Sequence, residues 1–478
     1  MTNPAAKPYA ANPYAVIVGL GRTGFSCARY LRARGWRLAI TDTRGTPPEW
    51  ARLTELDPTI PVKVGGLDIG LLDGASCVVA SPGVSLEEPF FVEARRRGLE
   101  IVGDIELFAR WADAPVVGIT GTNGKSTVTT LVGRMAERAG LRVRVGGNLG
   151  EPALDLLSPA VGVGPAAGAA AAHAGSVVGT ASARAGASTQ LYVLELSSFQ
   201  LDATQSLDLK AAVVLNVTPD HLDRYATVEE YAASKARIFA RCDTAVINLD
   251  DPLVVAMPRS GQKVVGFSLR AAIGADYAVA THEGQWWLTR RSERLMPVAA
   301  MKIKGLHNAA NALASLALGE ALGLPMPAML EELATFTGLP HRSQWVADVR
   351  GVTYINDSKG TNVGATVAAV NGMAGPLVMI AGGDGKNQDF IELAGVFRGK
   401  VRHTVLIGRD AAAVGAALKG VCTLETCASL EDAVRAAAKV AQPGDTVLLS
   451  PACASLDMFR DYTHRGAVFT QAVKELAA

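Results

Sequence analysis

The sequence predicts an α/β chain of three domains, each built on a mostly parallel sheet. Three observations predict it. Short apolar, β-branched runs recur at 14–18, 37–41, 77–80, 116–119, 192–196, 212–217, 378–381, 404–408 and 446–450, and most end in a glycine-rich or polar turn. Helical patterns lie between many of them, as expected of parallel strands joined by crossovers. The chain has 478 residues, more than one core usually holds.

The first run, Tyr14-Ala15-Val16-Ile17-Val18, leads into Gly19-Leu20-Gly21-Arg22-Thr23-Gly24 and a helix to about Arg34. A second strand ends at Asp42-Thr43-Arg44, which completes a Rossmann-like βαβ unit. A lone G-x-G-x-x-G is a weak signal. Asp42 stands near the spacing of a ribose-binding acid, so NAD is one reading. A nucleoside diphosphate on the same turn is the other, and Arg44 would suit an extra anionic group or a base edge. Tight-turn geometry alone also accounts for the glycines. Ser81-Pro82-Gly83-Val84 follows a strand's C-terminal end, where ligands of doubly wound sheets collect. Residues Val102 to Phe108 read as a connector.

The second domain opens near Ala114 on the strand Val116-Val117-Gly118-Ile119, then Thr120-Gly121-Thr122-Asn123-Gly124-Lys125-Ser126-Thr127 and a helical pattern. This is the layout of a phosphate-binding loop, in a P-loop ATPase-like domain. Backbone N–H groups and the helix dipole favour an anion there. Lys125 can reach β- and γ-phosphates, and the Ser126 hydroxyl can ligate Mg²⁺. The loop is tighter than the general pattern, because Ile119 stands where the first glycine belongs.

Downstream, Gly146-Gly147-Asn148-Leu149-Gly150 offers backbone amides and the Asn148 side chain. Residues Ser158 to Thr189 are Ala/Gly/Ser-rich without aromatics, which predicts a mobile surface insertion. Glu195 ends the apolar run of Tyr192-Val193-Leu194, placed like an acidic metal ligand opposite a phosphate loop. An unpaired charge in such a run would be costly. His221 follows Thr218-Pro219-Asp220 beyond another strand, which suits metal or substrate binding. Lys235, on a helical pattern, reads by itself as a surface lysine. Asn308 and Asn311 are three apart, so they share a helix face. Capping explains one of them, and contact with a nucleotide base or phosphate is the sharper reading. A third domain starts near Gly338. It carries Asn356-Asp357-Ser358-Lys359, the glycine-rich turn Gly382 to Lys386, and a last strand running into Ser450 to Asp457.

Bulk properties narrow the partners. A formal net charge of +1 gives no reason to expect nucleic acid or an anionic membrane. Six scattered cysteines lack metal spacing and read as reduced thiols of a cytoplasmic protein. No signal peptide and no membrane span is expected.

Together these motifs resemble the Mur ligases of peptidoglycan synthesis, from about Tyr14 to the C-terminus. They include Gly121 to Thr127, Glu195-Leu196-Ser197-Ser198-Phe199-Gln200, Asn216 to His221, His307-Asn308 with Asn311, Gly338 to Arg342, Asn356 to Lys359 and Ser450 to Asp457. The resemblance is strongest to members that add D-glutamate to UDP-N-acetylmuramoyl-L-alanine. It implies an ADP-forming amide ligase that phosphorylates the substrate carboxylate and lets an amine displace phosphate. It implies ATP and two Mg²⁺ ions, with Mn²⁺ as an alternative, and a monomer.

The implied domains are a UDP-substrate domain (1–103), an ATP-binding ligase domain (104–338) and a C-terminal domain that binds the amino acid and closes on ATP (339–478). Ser126 and Glu195 would hold one metal. His221 and Lys235, the latter as a carbamate, would hold the second, with Lys125, His221 and Lys235 as the catalytic set. Gly121, Thr122, Asn123, Gly124, Lys125, Ser126, Thr127, Asn308, Asn311, Arg342, Asp357 and Lys359 would bind ATP. Thr23, Asp42, Thr43, Arg44, Ser81, Gly83, Asn148, Ser197 and Gln200 would take the UDP-substrate, which decides UDP over NAD. Thr361, Lys386, Ser455, Leu456 and Tyr462 would surround D-glutamate.

Three positions depart from the family pattern: Arg22 for an apolar residue, Gln344 for a glutamate and Tyr462 for a phenylalanine. Sibling ligases adding other amino acids, or a folylpolyglutamate synthase-like enzyme, are the nearest alternatives. A nicotinamide-dependent dehydrogenase would leave the phosphate loop, Glu195 and His221 without a role.

Overall fold

A computed structural model of the chain describes residues 12–157, 188–218, 220–221, 224–270, 274–373, 375–386 and 388–477. The Ala/Gly-rich stretch lies almost wholly outside the described residues. Residues up to Ala278, with Arg290–Ser292 and Leu313–Met329, form one compact unit; Val279–Thr289, Glu293–Ala312 and Leu330 onward form another.

The first unit carries two parallel systems. Strands β1 (Tyr14–Val18), β2 (Arg37–Asp42), β3 (Val62–Val64), β4 (Cys77–Ala80) and β5 (Glu100–Val102) pair in the order β3-β2-β1-β4-β5. All four pairings are parallel. The apolar side chains of the inner strands β2, β1 and β4 are buried on both faces, with Val16 and Ile17 fully so, because helices cover a parallel sheet on each side, while the edge strand β3 leaves Val64 exposed. The stretch expected as a connector is ordered structure: β5 ends at Val102 and a helix runs Asp104–Trp111, with Ile105 and Phe108 buried.

Strands β6 (Val116–Thr120), β7 (Val143–Gly147), β8 (Leu191–Glu195), β9 (Leu209–Val214), β10 (Cys242–Asn248) and β11 (Lys263–Ser268) pair in the order β11-β10-β9-β6-β8-β7. β6 lies between β8 and β9, in parallel with both. The glycine-rich turn after β6 therefore sits beside the C-terminal ends of both neighbours, where ligands of open α/β sheets bind.

In the second unit, six strands pair as β12-β13-β17-β14-β15-β16. They are Gln344–Val349, Val352–Asn356, Thr446–Leu449, Leu377–Gly382, Val401–Ile407 and Thr423–Thr426 in that order. Only β12 runs antiparallel to its neighbour. The α/β, mostly parallel architecture read from the sequence is the one the chain adopts. Among the described residues no helix is long and apolar enough to cross a membrane.

Candidate active site

The phosphate loop is shaped by its glycines and pinned by an asparagine. Gly124 takes φ +84° and caps the helix Lys125–Arg138. A Cβ at Gly121, φ +147°, would lie 3.0 Å from the Leu215 Cβ. Asn216, beyond β9, accepts from the Asn123 amide through Oδ1 (2.8 Å) and donates back to the Asn123 carbonyl (3.2 Å). The Thr122 amide donates to the Asn216 carbonyl at 2.9 Å. The Lys125 ammonium donates to the carbonyls of Gly121 and Thr122, both at 2.9 Å.

Glu195 stands where the sequence put it, at the end of β8 and only 3% exposed. Ser126 Oγ donates to Oε2 and Asn148 Nδ2 donates to Oε1, each at 2.7 Å. Asn148 can reach because Gly147 lets the chain pass close: a Cβ there would fall 2.4 Å from the Glu195 carbonyl. Oxygen donors from Ser126 and Glu195 suit a hard divalent cation that keeps substrate phosphates as its other ligands. Among the described residues no three His, Cys, Asp or Glu side chains gather into an all-protein metal cage.

Lys235 corrects the surface reading. It lies on the helix Val228–Ala236, 1% exposed, with its ammonium donating to the Gly121 carbonyl at 3.1 Å and 4.2 Å from the Tyr231 ring centre. Burial, and next the charge of Lys125, lower its pKa to about 7. His221 packs edge-on against Phe199 at 4.9 Å and contacts the same Tyr231 ring at 6.0 Å. The loop and both residues predicted for the second metal thus gather around Gly121 and Tyr231.

A cleft of about 490 Å³ opens at the ends of β1 and β4. It is lined by Thr23, Asp42, Thr43, Arg44, Ser81, Gly83, Asn148 and Gln200 among others, so eight of the nine residues predicted for the UDP-substrate share one cavity. Gly19 adopts φ +89°, and a Cβ at Gly24 would fall 1.9 Å from its carbonyl oxygen. Ser81 Oγ donates to that same carbonyl at 2.9 Å. The Asp42 carboxylate is committed inward. It accepts from the amides of Leu20 (2.7 Å) and Arg44 (2.8 Å) and from the Arg44 guanidinium (2.6 Å). Burial would raise its pKa, but these donors outweigh burial and hold it below the usual carboxylate range. Arg22 donates to the Gly150 carbonyl at 2.7 Å across the cleft.

Ser197 and Gln200 form a capping box on the helix Ser198–Asp202. Gln200 Nε2 donates to Asp104 Oδ2 at 2.9 Å, so its amide is held at both ends. Asp104, which sequence reasoning missed, is buried, and burial raises its pKa to about 6.

In the second unit, Asn311 Nδ2 donates to Asn308 Oδ1 at 3.2 Å and Asn308 to the Lys304 carbonyl at 2.8 Å, so the helix-face pairing holds. Arg342 bonds through its amide to the Leu339 carbonyl at 3.1 Å. Gln344, in the position of the family's glutamate, accepts from the His341 amide at 3.1 Å. Asp357 is 9% exposed and accepts from Ser450 Oγ (2.8 Å) and the Ser343 amide (3.0 Å); burial raises its pKa to about 6. The Lys359 ammonium lies 4.1 Å over the Tyr462 ring. The Thr361 amide donates to the Lys359 carbonyl at 2.8 Å. Lys386 is held at φ +50° by its amide donating to Asp384 Oδ1 at 3.0 Å. Ser455 is 3% exposed and Leu456 67%.

Comparison with known proteins finds three family models along the chain. Residues 14–103 match the family model of the Mur ligase MurD-like N-terminal domain. Residues 119–319 match the Mur ligase middle domain, and 341–453 the Mur ligase glutamate ligase domain. A UDP-N-acetylmuramoylalanine–D-glutamate ligase of Nitrosococcus oceani is 46% identical over 478 residues, covering 100% of this chain and 99% of its own. The ligase of that name from Pseudomonas aeruginosa is 46% identical, over 98% and 99% of the two chains. Among solved structures, UDP-N-acetylmuramate–alanine ligase of Thermotoga maritima superposes with a TM-score of 0.54 at 17% identity, covering 97% of this chain and 99% of that one. A pseudomurein peptide ligase of Methanothermus fervidus gives 0.53 at 17%, over 97% and 100%. At such identity these two attest the fold alone. On the full-length identity and the three matched domains, this chain belongs to the Mur ligase family.

Proposed function

We propose that the chain is an ATP-dependent amide ligase that adds D-glutamate to UDP-N-acetylmuramoyl-L-alanine, releasing ADP and phosphate, in cytoplasmic peptidoglycan synthesis. The observation that carries the reading is the gathering of Lys125, the Ser126–Glu195 pair and buried Lys235 around one phosphate loop, beside a cleft lined by the predicted UDP-substrate residues.

A carboxylate is a poor electrophile, so the reaction needs a leaving group made on it. The loop amides of Gly121 to Thr127 and the helix end behind them seat the triphosphate. Lys125, now bonded to loop carbonyls, turns to the phosphates and balances charge as the γ-phosphoryl moves to the substrate carboxylate. The amine of D-glutamate then attacks the acyl phosphate carbon. The tetrahedral intermediate expels phosphate, and the amine gives up a proton to solvent as the amide forms. Asn148 fixes the Glu195 carboxylate from the side opposite Ser126.

Two Mg²⁺ ions, or Mn²⁺ in their place, would be held by Ser126 with Glu195 and by His221 with carbamylated Lys235, and would supply charge neutralisation at the phosphates. An ammonium cannot ligate a cation. A buried amine with a pKa of about 7 is neutral often enough to add CO₂, release a proton and become an anionic ligand. Asn308, Asn311, Arg342, Asp357 and Lys359 contact ATP. Thr361, Lys386, Ser455, Leu456 and Tyr462 seat D-glutamate. Thr23, Asp42, Thr43, Arg44, Ser81, Gly83, Ser197 and Gln200 serve the UDP-substrate, with Asp42, Ser197 and Gln200 acting through the loops they brace. The functional domains are 1–103, 104–338 and 339–478, in a monomer.

The test is an amino-acid panel in a phosphate-release assay containing ATP, Mg²⁺ and UDP-N-acetylmuramoyl-L-alanine. Release with D-glutamate and little with L-alanine, L-glutamate or diamino acids is expected. Equal turnover with L-alanine refutes the assignment.

A further inference from the structure

Arg465, on the C-terminal helix Tyr462–Ala477, is among the largest fully buried side chains of the chain. A guanidinium taken out of water is costly unless every donor is met. Here five hydrogen bonds meet it. Nε donates to Ser358 Oγ at 3.0 Å, and Nη2 to the Ser358 carbonyl at 2.9 Å and the Cys453 carbonyl at 3.1 Å. Nη1 donates to the carbonyls of Cys453 (3.1 Å) and Ala454 (3.2 Å). Among the described residues no carboxylate lies within ion-pair distance of it. Its charge is spread over the main-chain carbonyls and one hydroxyl of two loops.

Those loops are the ones that carry the C-terminal site. One holds Asp357 and Lys359, the other Ser455 and Leu456. A third joins them: Asp384 and Ala454 exchange amide–carbonyl bonds of 3.0 and 2.8 Å, just before Lys386. At Gly383, in that third loop, a Cβ would come within 3.4 Å of Arg465 Nη1. The next residue, Gly466, leaves room for the His341 ring, whose Nδ1 would be 2.1 Å from a Cβ there. Three sequence-distant loops thus converge on one planar fork.

We infer that Arg465 is a positioning residue that locks the loop bearing Asp357 and Lys359 to the loop bearing Ser455 and Leu456, so that the amino-acid seat and the phosphate-facing lysine are set as one piece. It touches no substrate. The inference rests on the functions proposed above for those four residues. A lysine keeps the charge but cannot span acceptors on two loops, because it lacks the planar fork.

The experiment compares wild type with Arg465→Lys and Ser358→Ala, the second removing the acceptor of Nε together with that hydroxyl's own 2.7 Å bond to the Tyr462 carbonyl. Amide hydrogen exchange reads the loops, and steady-state kinetics read the site, at a temperature where circular dichroism shows each variant folded. Arg465→Lys is expected to speed exchange in 356–360 and 452–456 together. It is also expected to raise KM for D-glutamate roughly 10- to 100-fold, as for loss of charge-assisted hydrogen bonds, with KM for the UDP-substrate within about twofold of wild type. Ser358→Ala moves the same quantities less, and carries the test if the lysine variant does not fold. Unchanged exchange in both loops overturns the inference, as does a KM rise shared equally by the UDP-substrate. A wild-type enzyme indifferent to D-glutamate overturns instead the functional reading beneath it, and is told apart by needing no variant.

Discussion

Replacing Asn216 with alanine isolates the phosphate loop from the rest of the site. The side chain makes two hydrogen bonds to the Asn123 main chain, at 2.8 and 3.2 Å, while its carbonyl bond from Thr122 survives the change. Each side-chain bond is worth about 1 kcal/mol at most where solvent reaches it, so the loop loses roughly 1–2 kcal/mol of order. If ATP binding must restore that order, KM for ATP rises roughly 5- to 30-fold. The UDP-substrate cleft is lined without Asn216, so KM for that substrate stays near wild type. Initial rates of ADP release, with each substrate varied in turn, separate the two. Asn216→Asp keeps one acceptor, loses the donor and adds a negative charge beside the phosphates, so it should be no better than alanine. A KM for ATP within twofold of wild type in the alanine variant refutes the idea that this asparagine sets the loop.

Two further predictions concern stability. Folding lowers the Lys235 pKa from the ordinary 10.5 to about 7, so below pH 7 the folded state carries a charge it disfavours and the unfolded state does not mind. Stability should rise as pH climbs from about 7 towards 10.5. Lys235→Met should therefore resist urea better than wild type at pH 6, with the gap closing near pH 10.5 and ligase activity lost throughout; a less stable variant at pH 6 contradicts this. Gly24→Ala forces a Cβ to 1.9 Å from the Gly19 carbonyl, and overpacking of that kind costs roughly 1–3 kcal/mol. A lower Tm and a raised KM for the UDP-substrate are expected, and an unchanged Tm counts against the close packing described.

Much of the site was legible because its chemistry is local. The phosphate loop needs a strand, glycines and Lys-Ser within a dozen residues, and all are contiguous from Val116 to Thr127. Glu195 was legible because a carboxylate in an apolar run demands a partner, which Ser126 and Asn148 supply. Lys235 was not, because a lysine on a helix becomes buried only through tertiary packing. Asp42 stands near a ribose acid's spacing, but its bonds to the Leu20 amide and the Arg44 guanidinium come only with the fold. The Ser197 to Gln200 spacing is itself a capping-box signature, and would have signalled that Gln200 is held by its own helix. Arg465 gave no signal, since its acceptors are one hydroxyl and main-chain carbonyls that only the fold brings to it.

The proposed reaction requires that the substrate carboxylate be phosphorylated before the amine arrives. UDP-N-acetylmuramoyl-L-alanine labelled with ¹⁸O in its carboxylate, turned over with ATP and D-glutamate, tests it by mass spectrometry of the released phosphate. One carboxylate oxygen should appear in that phosphate. Product amide formed alongside phosphate free of the label would contradict the account.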